Sequence, residues 1–464
     1  MPKSSYASVT LDVDAEAQPL PLEPRSDTPF RILVLGDFSG RRNRGEPPPE
    51  RLRPYLVDRD TVDEVLFRMR PALDIGGRTR RLALRFRELD DFHPDRIYQQ
   101  DVFEKFRQVQ RLPAGQAPVA ATEPAPPQPP DVPALTGGSL LDSVLETTEG
   151  QPARHPDALR EFVERAVAPH TAPREDPRIA EKTADLAAEA GKVMRAILHH
   201  ADFQALEAAW RALDWLVRGL DTGTYLKLYV LDISKSDLAD RLRELRRILV
   251  DEAAVAPGGE PWALVAADFT FARTEGDIRL LTSLAEVMRA AGAVLLAEAD
   301  PNDADSPAAE RLWQTLRNSP EASSVGLALP RFLLRLPYGE KTSTIESFAF
   351  EEMPGSPVHH DYLWGNPAFA CAFLLGQAFS RDGWDLRPGT HTSITGLPLH
   401  VYESDGEQQL KPCAEVLLTE ADADSVLEQG FMPVVSIKNQ DAVRVIRFQS
   451  IAQPPAPLAG AWTY

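Results

Sequence analysis

Between Ala201 and Leu231 the apolar positions follow two periods in succession. Phe203, Leu206, Trp210, Leu213, Leu216 and Val217 recur at three-and-four spacing, which predicts a helix with one apolar face. From Tyr225 to Leu231 apolar and polar residues alternate, as they do along a half-buried strand. Gly223, in the turn between the two, is the residue expected to take the positive φ that ends the helix. The stretch therefore predicts a helix that hands a strand to a sheet, with Trp210 and Trp215 as core residues rather than cofactor contacts.

Similar patterns run in both directions from there. Residues 5–13 alternate cleanly, with Tyr6, Val9, Leu11 and Val13 among their apolar positions. The acidic, proline-containing stretch that follows predicts an arm rather than part of a core. Phe30 to Leu35 is a continuous apolar run, expected as a buried strand that ends in the tight loop Gly36 to Gly40. A helix is expected from Asp60 as N-cap, a strand over 80–86, and a helix of roughly 15 residues after Asp95. Residues 113–133 contain eight prolines and no periodicity, which predicts a linker of polyproline II character. At ~3.1 Å per residue it reaches roughly 65 Å, more than the ~35 Å diameter of a 100-residue domain. Its length thus leaves open whether the flanking segments pair within one chain or between chains.

After the linker, Ser139 is a plausible N-cap for a short helix over 139–148 whose apolar patch is Leu140, Leu141, Val144 and Leu145. So short a helix needs a partner groove, on its own domain or on another protein. A helical region follows to about 218, broken at Pro169 and Pro173. Strands and helices then alternate: strands at 262–267, 293–299 and 325–330, helices at 277–292 and 310–318. Ala442 to Ile451 is the expected last strand, before Pro454, Pro455 and Pro457. This succession predicts an α/β fold, with a small N-terminal α/β domain, the linker, and a larger α/β domain built on a mixed, largely parallel sheet.

Composition narrows the function classes. A formal net charge of −19 opposes sequence-independent binding to nucleic-acid phosphates. That acidity either keeps a large chain soluble or leaves the basic segments at 41–45 and 78–81 to meet acidic neighbours. No apolar run approaches the ~20 residues of a membrane span, and the N-terminus lacks the pattern of a secretory signal. Cys371 and Cys413 are far apart and fit neither a disulfide framework nor a thiolate zinc site. A cytoplasmic location is the expectation.

Candidate chemistry is sparse. The loop at 36–45 follows a strand but lacks both GxxxxGK[ST] and GxGxxG. The pairs His199-His200 and His359-His360 are poor chelates, because adjacent side chains do not converge on one ion. Asp361 is expected to cap a helix beginning at Tyr362, and Trp364 to be core. Arg331 and Arg335 are expected to pair with carboxylates such as Glu351 and Glu352. No catalytic residue, cofactor or metal ligand is expected.

Several phrases carry a resemblance. The run through EAAWRALDWLV to TGTYLKLYVLDISKSDL, then GGEPWALVAADFTF, GLALPRFLLRLPYGEKT, HDYLWGNPAFACAFLL, GLPLHVY, KPCAEVLLT and GFMPVVSIKNQD, resembles the large contractile-sheath subunit of type VI secretion systems, in the family order. The succession of a strand, the GDFSG loop, the VDRDTVDEVL helix, LRFRELDDFHPD and a further helix, over roughly residues 5–112, resembles the small sheath subunit. The resemblance implies a small-subunit segment 1–112, a linker 113–138, a helical segment 139–175, a large-subunit segment 176–452 and a tail 453–464. It further implies self-association or association with other sheath subunits, an inner tube protein, a baseplate and a ClpV-like AAA+ ATPase gripping the 139–148 helix. The arm at 5–13 is implied as an inter-protomer contact. Two departures stand out: the subunits are separate chains in typical systems, and the family's large subunit continues through a substantial C-terminal region. The expected function is a structural sheath protomer. A non-polymerising cap, adaptor or regulator is the alternative, and an α/β enzyme a more distant one.

Overall fold

Phe30–Gly36 (β1) reads as an uninterrupted apolar run because both of its faces are covered. The computed structural model describes residues 24–76, 82–111, 179–255, 259–302, 304–404 and 406–462. The arm residues Tyr6, Val9, Leu11 and Val13, the linker, and the helix residues Leu140, Leu141, Val144 and Leu145 lie outside the described residues.

The described chain is built on one nine-stranded sheet. After β1 come β2 (Tyr55–Val57), a side hairpin of β3 (Ala72–Ile75) and β4 (Leu82–Arg85), then β5 (Leu226–Asp232), β6 (Leu264–Phe271), β7 (Val294–Ala299) and β8 (Val325–Leu329). Two short strands, β9 (Phe332–Leu333) and β10 (Trp364–Gly365), pair with each other. Then follow β11 (Ser393–Ile394), the hairpin β12 (Val401–Ser404) and β13 (Glu407–Leu410), β14 (Met432–Ser436) and β15 (Val443–Val445). The main sheet runs β11-β15-β14-β8-β7-β6-β1-β5-β2. From β5 to β14 all neighbours are parallel, while β2 and the β15–β11 pair are antiparallel edges.

Helices cover both faces. The principal ones are α1 (Val62–Met69), α2 (Ile179–Leu198), α3 (Ala201–Gly219), α4 (Glu275–Ala291), α5 (Pro307–Arg317), α6 (Pro367–Asp382) and α7 (Glu420–Glu428). Strand alternation divides β1 between two cores: Ile32 and Val34 join the cluster containing α3 and α6, and Leu33 and Leu35 join the one containing α4 and α5. Helix α6 is apolar around most of its circumference and runs through the larger cluster, as such a helix must. It starts at Pro367, with the Asn366 side chain accepting from the Ala368 N–H. Where α3 crosses α6, a Cβ at Gly219 would meet Phe373 at 2.4 Å, so only glycine permits the approach.

The segments before and after the linker share this sheet at its centre. β1 pairs along its whole length with β5, Phe30 opposite Leu226 through Gly36 opposite Asp232, and with β6 on its other side. The segment before the linker thus supplies a central strand to the sheet of the segment after it. Residues 24–111 lack the two helical layers a doubly buried strand requires; α3, α4 and α6 supply them. Among the elements of the first segment outside the main sheet, α1 and the β3–β4 hairpin form a side layer against α3.

Local corrections are smaller. The first helix starts after Thr61, not Asp60, and Asp58 accepts from the N–H groups of Asp60 and Thr61. The helix after Asp95 is broken into Pro94–Gln99 and Glu104–Arg111 by a turn at Asp101–Phe103. Gly223 does not take a positive φ; α3 ends at Leu220 in an extended conformation. Asp361 caps no helix, because Trp364 lies in β10 and the helix begins at Pro367. The last strand stops at Val445; beyond it the Ile451 N–H donates to the carbonyl of Val325 and the chain turns across β8.

Candidate functional site

The sites with most chemistry in them are three seams of buried charge that join distant parts of the chain. The first lies beneath α3. Glu207 sits within the apolar stripe of this helix and is fully buried, which demands a partner. Arg335 supplies it, donating from Nε to Glu207 Oε1 at 2.8 Å and from Nη2 to Oε2 at 3.2 Å. The same guanidinium donates to both oxygens of the buried Glu352, at 2.8 and 3.0 Å. Glu352 also accepts from the Tyr338 N–H, and Arg211 bridges Glu207 to the Tyr338 hydroxyl. Burial opposes the Glu352 charge, but Arg335 and then His199 outweigh it and hold the carboxylate at about 2. Burial raises the Tyr338 hydroxyl to about 12.

The expected pairing of Arg335 with Glu352 is therefore present. Arg331 differs: its partner is Glu415, gripped through Nε at 2.8 Å and Nη2 at 2.5 Å, with Glu298 3.8 Å away. Glu351 instead accepts from the Glu340 N–H. The two arginines reach different neighbourhoods, one towards α3 and one towards the carboxyl ends of β6 and β7.

The second seam is at those strand ends. On the adjacent β7, Glu298 pairs in register with Thr270 of β6, and burial followed by the nearby Glu298 charge raises Asp268 to about 7. Its folded form binds a proton more tightly than the unfolded chain, whose carboxyl stays near its ordinary 3.8. The resulting cost is absent below that value and complete above about pH 7. D268N should therefore stabilise the protein at pH 8 by about 1–2 kcal/mol and leave it nearly unchanged at pH 4, as read by urea denaturation. Equal gains at both pH values would show that Asp268 is ionised as an ordinary carboxylate.

The third seam joins the segments on either side of the linker. In the loop after β1, the Ser39 N–H donates to Asp232 Oδ1 at 3.0 Å, and Arg41 pairs with Asp232 through its guanidinium. Asp37 accepts from the N–H groups of Arg41 and Arg42. Gly40 takes φ 68°, and a Cβ there would lie 2.6 Å from the carbonyl of Ala72. A loop that could suggest phosphate binding thus turns its amides onto its own carboxylates. Trp210 adds a further tie, donating from Nε1 to the carbonyl of Phe38 at 2.8 Å.

The histidines are distributed rather than clustered. His199 lies 3.4 Å from Asp361 and 3.5 Å from Glu352, and His359 sits 2.8 Å from Lys411. His360 is exposed. Among the described residues no three His, Cys, Asp or Glu side chains converge as metal ligands, and no helix is long and apolar enough to cross a membrane. Sequence reading missed Glu207, Asp232 and Asp268. For Glu207 a signal existed, a carboxylate inside an apolar stripe four residues before an arginine; for the others the partners are too distant in the chain.

Residues 181–312 and 305–452 match the family described as EvpB/VC_A0108 (VipB), tail sheath N-terminal domain, and together they make up more than half of the chain. The protein belongs to this tail-sheath family. Residues 21–111 match a second family, described as type VI secretion system VipA, VC_A0107 or Hcp2. Against the type VI secretion system sheath protein TssC1 of Pseudomonas aeruginosa, this tail-sheath protein is 32% identical over 289 residues, 56% of this chain and 58% of the relative. It thus spans less than two thirds of that relative's length. Solved structures give a fainter likeness. The contracted helical sheath of the anti-feeding prophage matches with TM-score 0.28 and 15% identity, over 52% of this chain and 50% of that one. The baseplate of the same particle matches with TM-score 0.30 and 14% identity, over 53% and 50%. The three charged seams fall at phrases that carry the family likeness: GDFSG and VLDIS at one, EAAWR and RLPYG at another, ADF and LPR at the third.

Proposed function

We propose that the protein is a structural protomer of a type VI secretion-type contractile sheath in which the small-subunit and large-subunit segments act as one body. The observation that carries this reading is β1, from the VipA-like segment, lying between β5 and β6 of the VipB-like segment. In a contractile lattice, subunits slide and rotate against one another between two packed arrangements. A protomer serves that motion only if its own parts do not slip, and the Arg335, Arg331 and Arg41 ion pairs of the three seams oppose such slippage at places where a shear would separate opposite charges. The titratable groups of the seams are engaged with one another, which fits a structural role without catalysis. The protein works in the cytoplasm, with other sheath subunits and a baseplate as partners, around an inner tube. A ClpV-like ATPase engages Leu140, Leu141, Val144 and Leu145, and the arm over 5–13 links protomers.

Electron microscopy of the purified protein over a concentration series tests this. Tubes or rings are expected, with fewer and shorter assemblies after removal of residues 1–13. In the same preparations L141D/V144D should leave assembly intact and abolish capture by the ATPase. A monodisperse monomer throughout would replace the protomer reading with that of a non-polymerising cap or adaptor.

A further inference from the structure

The side layer formed by α1 and the β3–β4 hairpin leaves an open groove of about 850 Å³ beside the loop that follows β1. Five arginines line it, Arg41, Arg44, Arg70, Arg85 and Arg87, in a chain whose net charge is −19. Arg41 and Arg44 already hold Asp232 and Glu46. Arg70, Arg85 and Arg87 are exposed, and no carboxylate among the described residues pairs with them. Phe67, 58% exposed, adds an apolar seat on the same wall. Unpaired cations grouped around an exposed ring ask for a ligand that combines carboxylates with small apolar side chains.

Residues 12–23 of this chain have that chemistry. They hold Asp12, Asp14, Glu16 and Glu23 without a basic residue, together with Leu20 and Leu22 between prolines that favour an extended course. In its own chain this segment leads through Pro24 to Phe30, at the amino end of β1, whereas the groove opens beyond the carboxyl end near Ser39. The two ends of β1 are ~20 Å apart at ~3.3 Å per residue. Docking on its own groove would require the segment to double back along the molecule, and docking on a neighbour would not. We propose that the arginine groove binds residues 12–23 of a second copy of this chain. The contact goes beyond the sheath reading, because it needs only two copies and no tube.

Two measurements test it on the full-length protein. The first titrates a labelled synthetic peptide of residues 12–23 into D12N/D14N/E16Q/E23Q protein, whose own segment no longer competes. Binding is expected, weakening roughly tenfold when R70Q/R85Q/R87Q is added, and falling as salt is raised. No binding, or binding indifferent to the arginines, would overturn the groove as the site. The second follows association by sedimentation velocity. The acid-neutralised and groove variants should each associate less than the parent, and mixing them should restore a mixed dimer, since each retains one half of the contact. Peptide binding without such restoration would overturn the second copy as the source. Circular dichroism and thermal melting of the groove variant, whose changes are all at exposed positions, exclude misfolding as the cause of lost binding.

Discussion

R335M is expected to destabilise the protein by about 3–5 kcal/mol, enough to unfold most of it if its total stability lies in the ordinary range of about 5–15 kcal/mol. The size of the effect comes from what the substitution leaves behind. Glu207 and Glu352 are both fully buried, and among the described residues Arg335 is the only side chain that grips both. Removing it leaves Glu207 with Arg211 and Glu352 with the Tyr338 N–H and His199, two buried carboxylates close together whose burial is no longer offset. The burial cost that Arg335 now offsets would return to Glu352, which is held at about 2. In the parent, a carboxylate lowered in this way contributes stability above its ordinary 4.5 and loses it as the pH falls towards 2. R335M should therefore lose stability most at neutral pH and regain part of it on acidification, as the stranded carboxyls take up protons. The triple variant E207L/R335M/E352L, which removes the charges together, should recover most of the loss, because Arg211 is partly exposed and can turn to solvent. Chemical denaturation of the three proteins across pH checks this. A loss below 1 kcal/mol for R335M would mean that water reaches the seam and that it does not lock the protomer.

The second large effect concerns the chain as a whole. Residues 1–112 and 139–464, expressed as separate chains, should each be insoluble or rapidly proteolysed, and co-expression should recover a stable one-to-one complex. Phe30, Ile32, Leu33, Val34 and Leu35 of β1 are fully buried, and at roughly 2 kcal/mol for each such side chain they contribute about as much as the net stability of a whole domain. Without β1, the edges of β5 and β6 lie open along an apolar slot, a template for aggregation. Solubility and limited proteolysis of the three samples decide the point. A folded, soluble 139–464 would show that the large-subunit segment closes its sheet without β1, and the single-body protomer would fall with it. Joining both segments in one chain raises the effective concentration of β1 to the millimolar range if the linker spans the distance, which suits a strand needed at the sheet's centre.

Much of this was legible in the residues. The period of the apolar positions marked α3 and β5 within a residue or two, because a helix stripe and a strand alternation depend only on local spacing. The run from Phe30 to Leu35 announced a buried strand for the same reason. Ordered phrases pointed to the sheath family, and the Arg335–Glu352 pair followed from the need of a buried guanidinium for a carboxylate. What failed were boundaries set by tertiary contacts. Asp361 looked like a helix cap but turned towards His199, and the expected last strand lost its second half to a turn across β8.

Local pattern by itself determined the element types, the α/β class and the family, since each depends on residues near one another in the chain or on their order along it. Only the tertiary structure decided that β1 enters the other segment's sheet, that Asp232 fills the loop after β1, and that Glu207 meets Arg335 across 128 positions. A strand's apolar faces state that two layers must cover it without stating which helices will. A buried charge likewise states that it needs a partner, and the topology of the sheet chooses which one lies within reach.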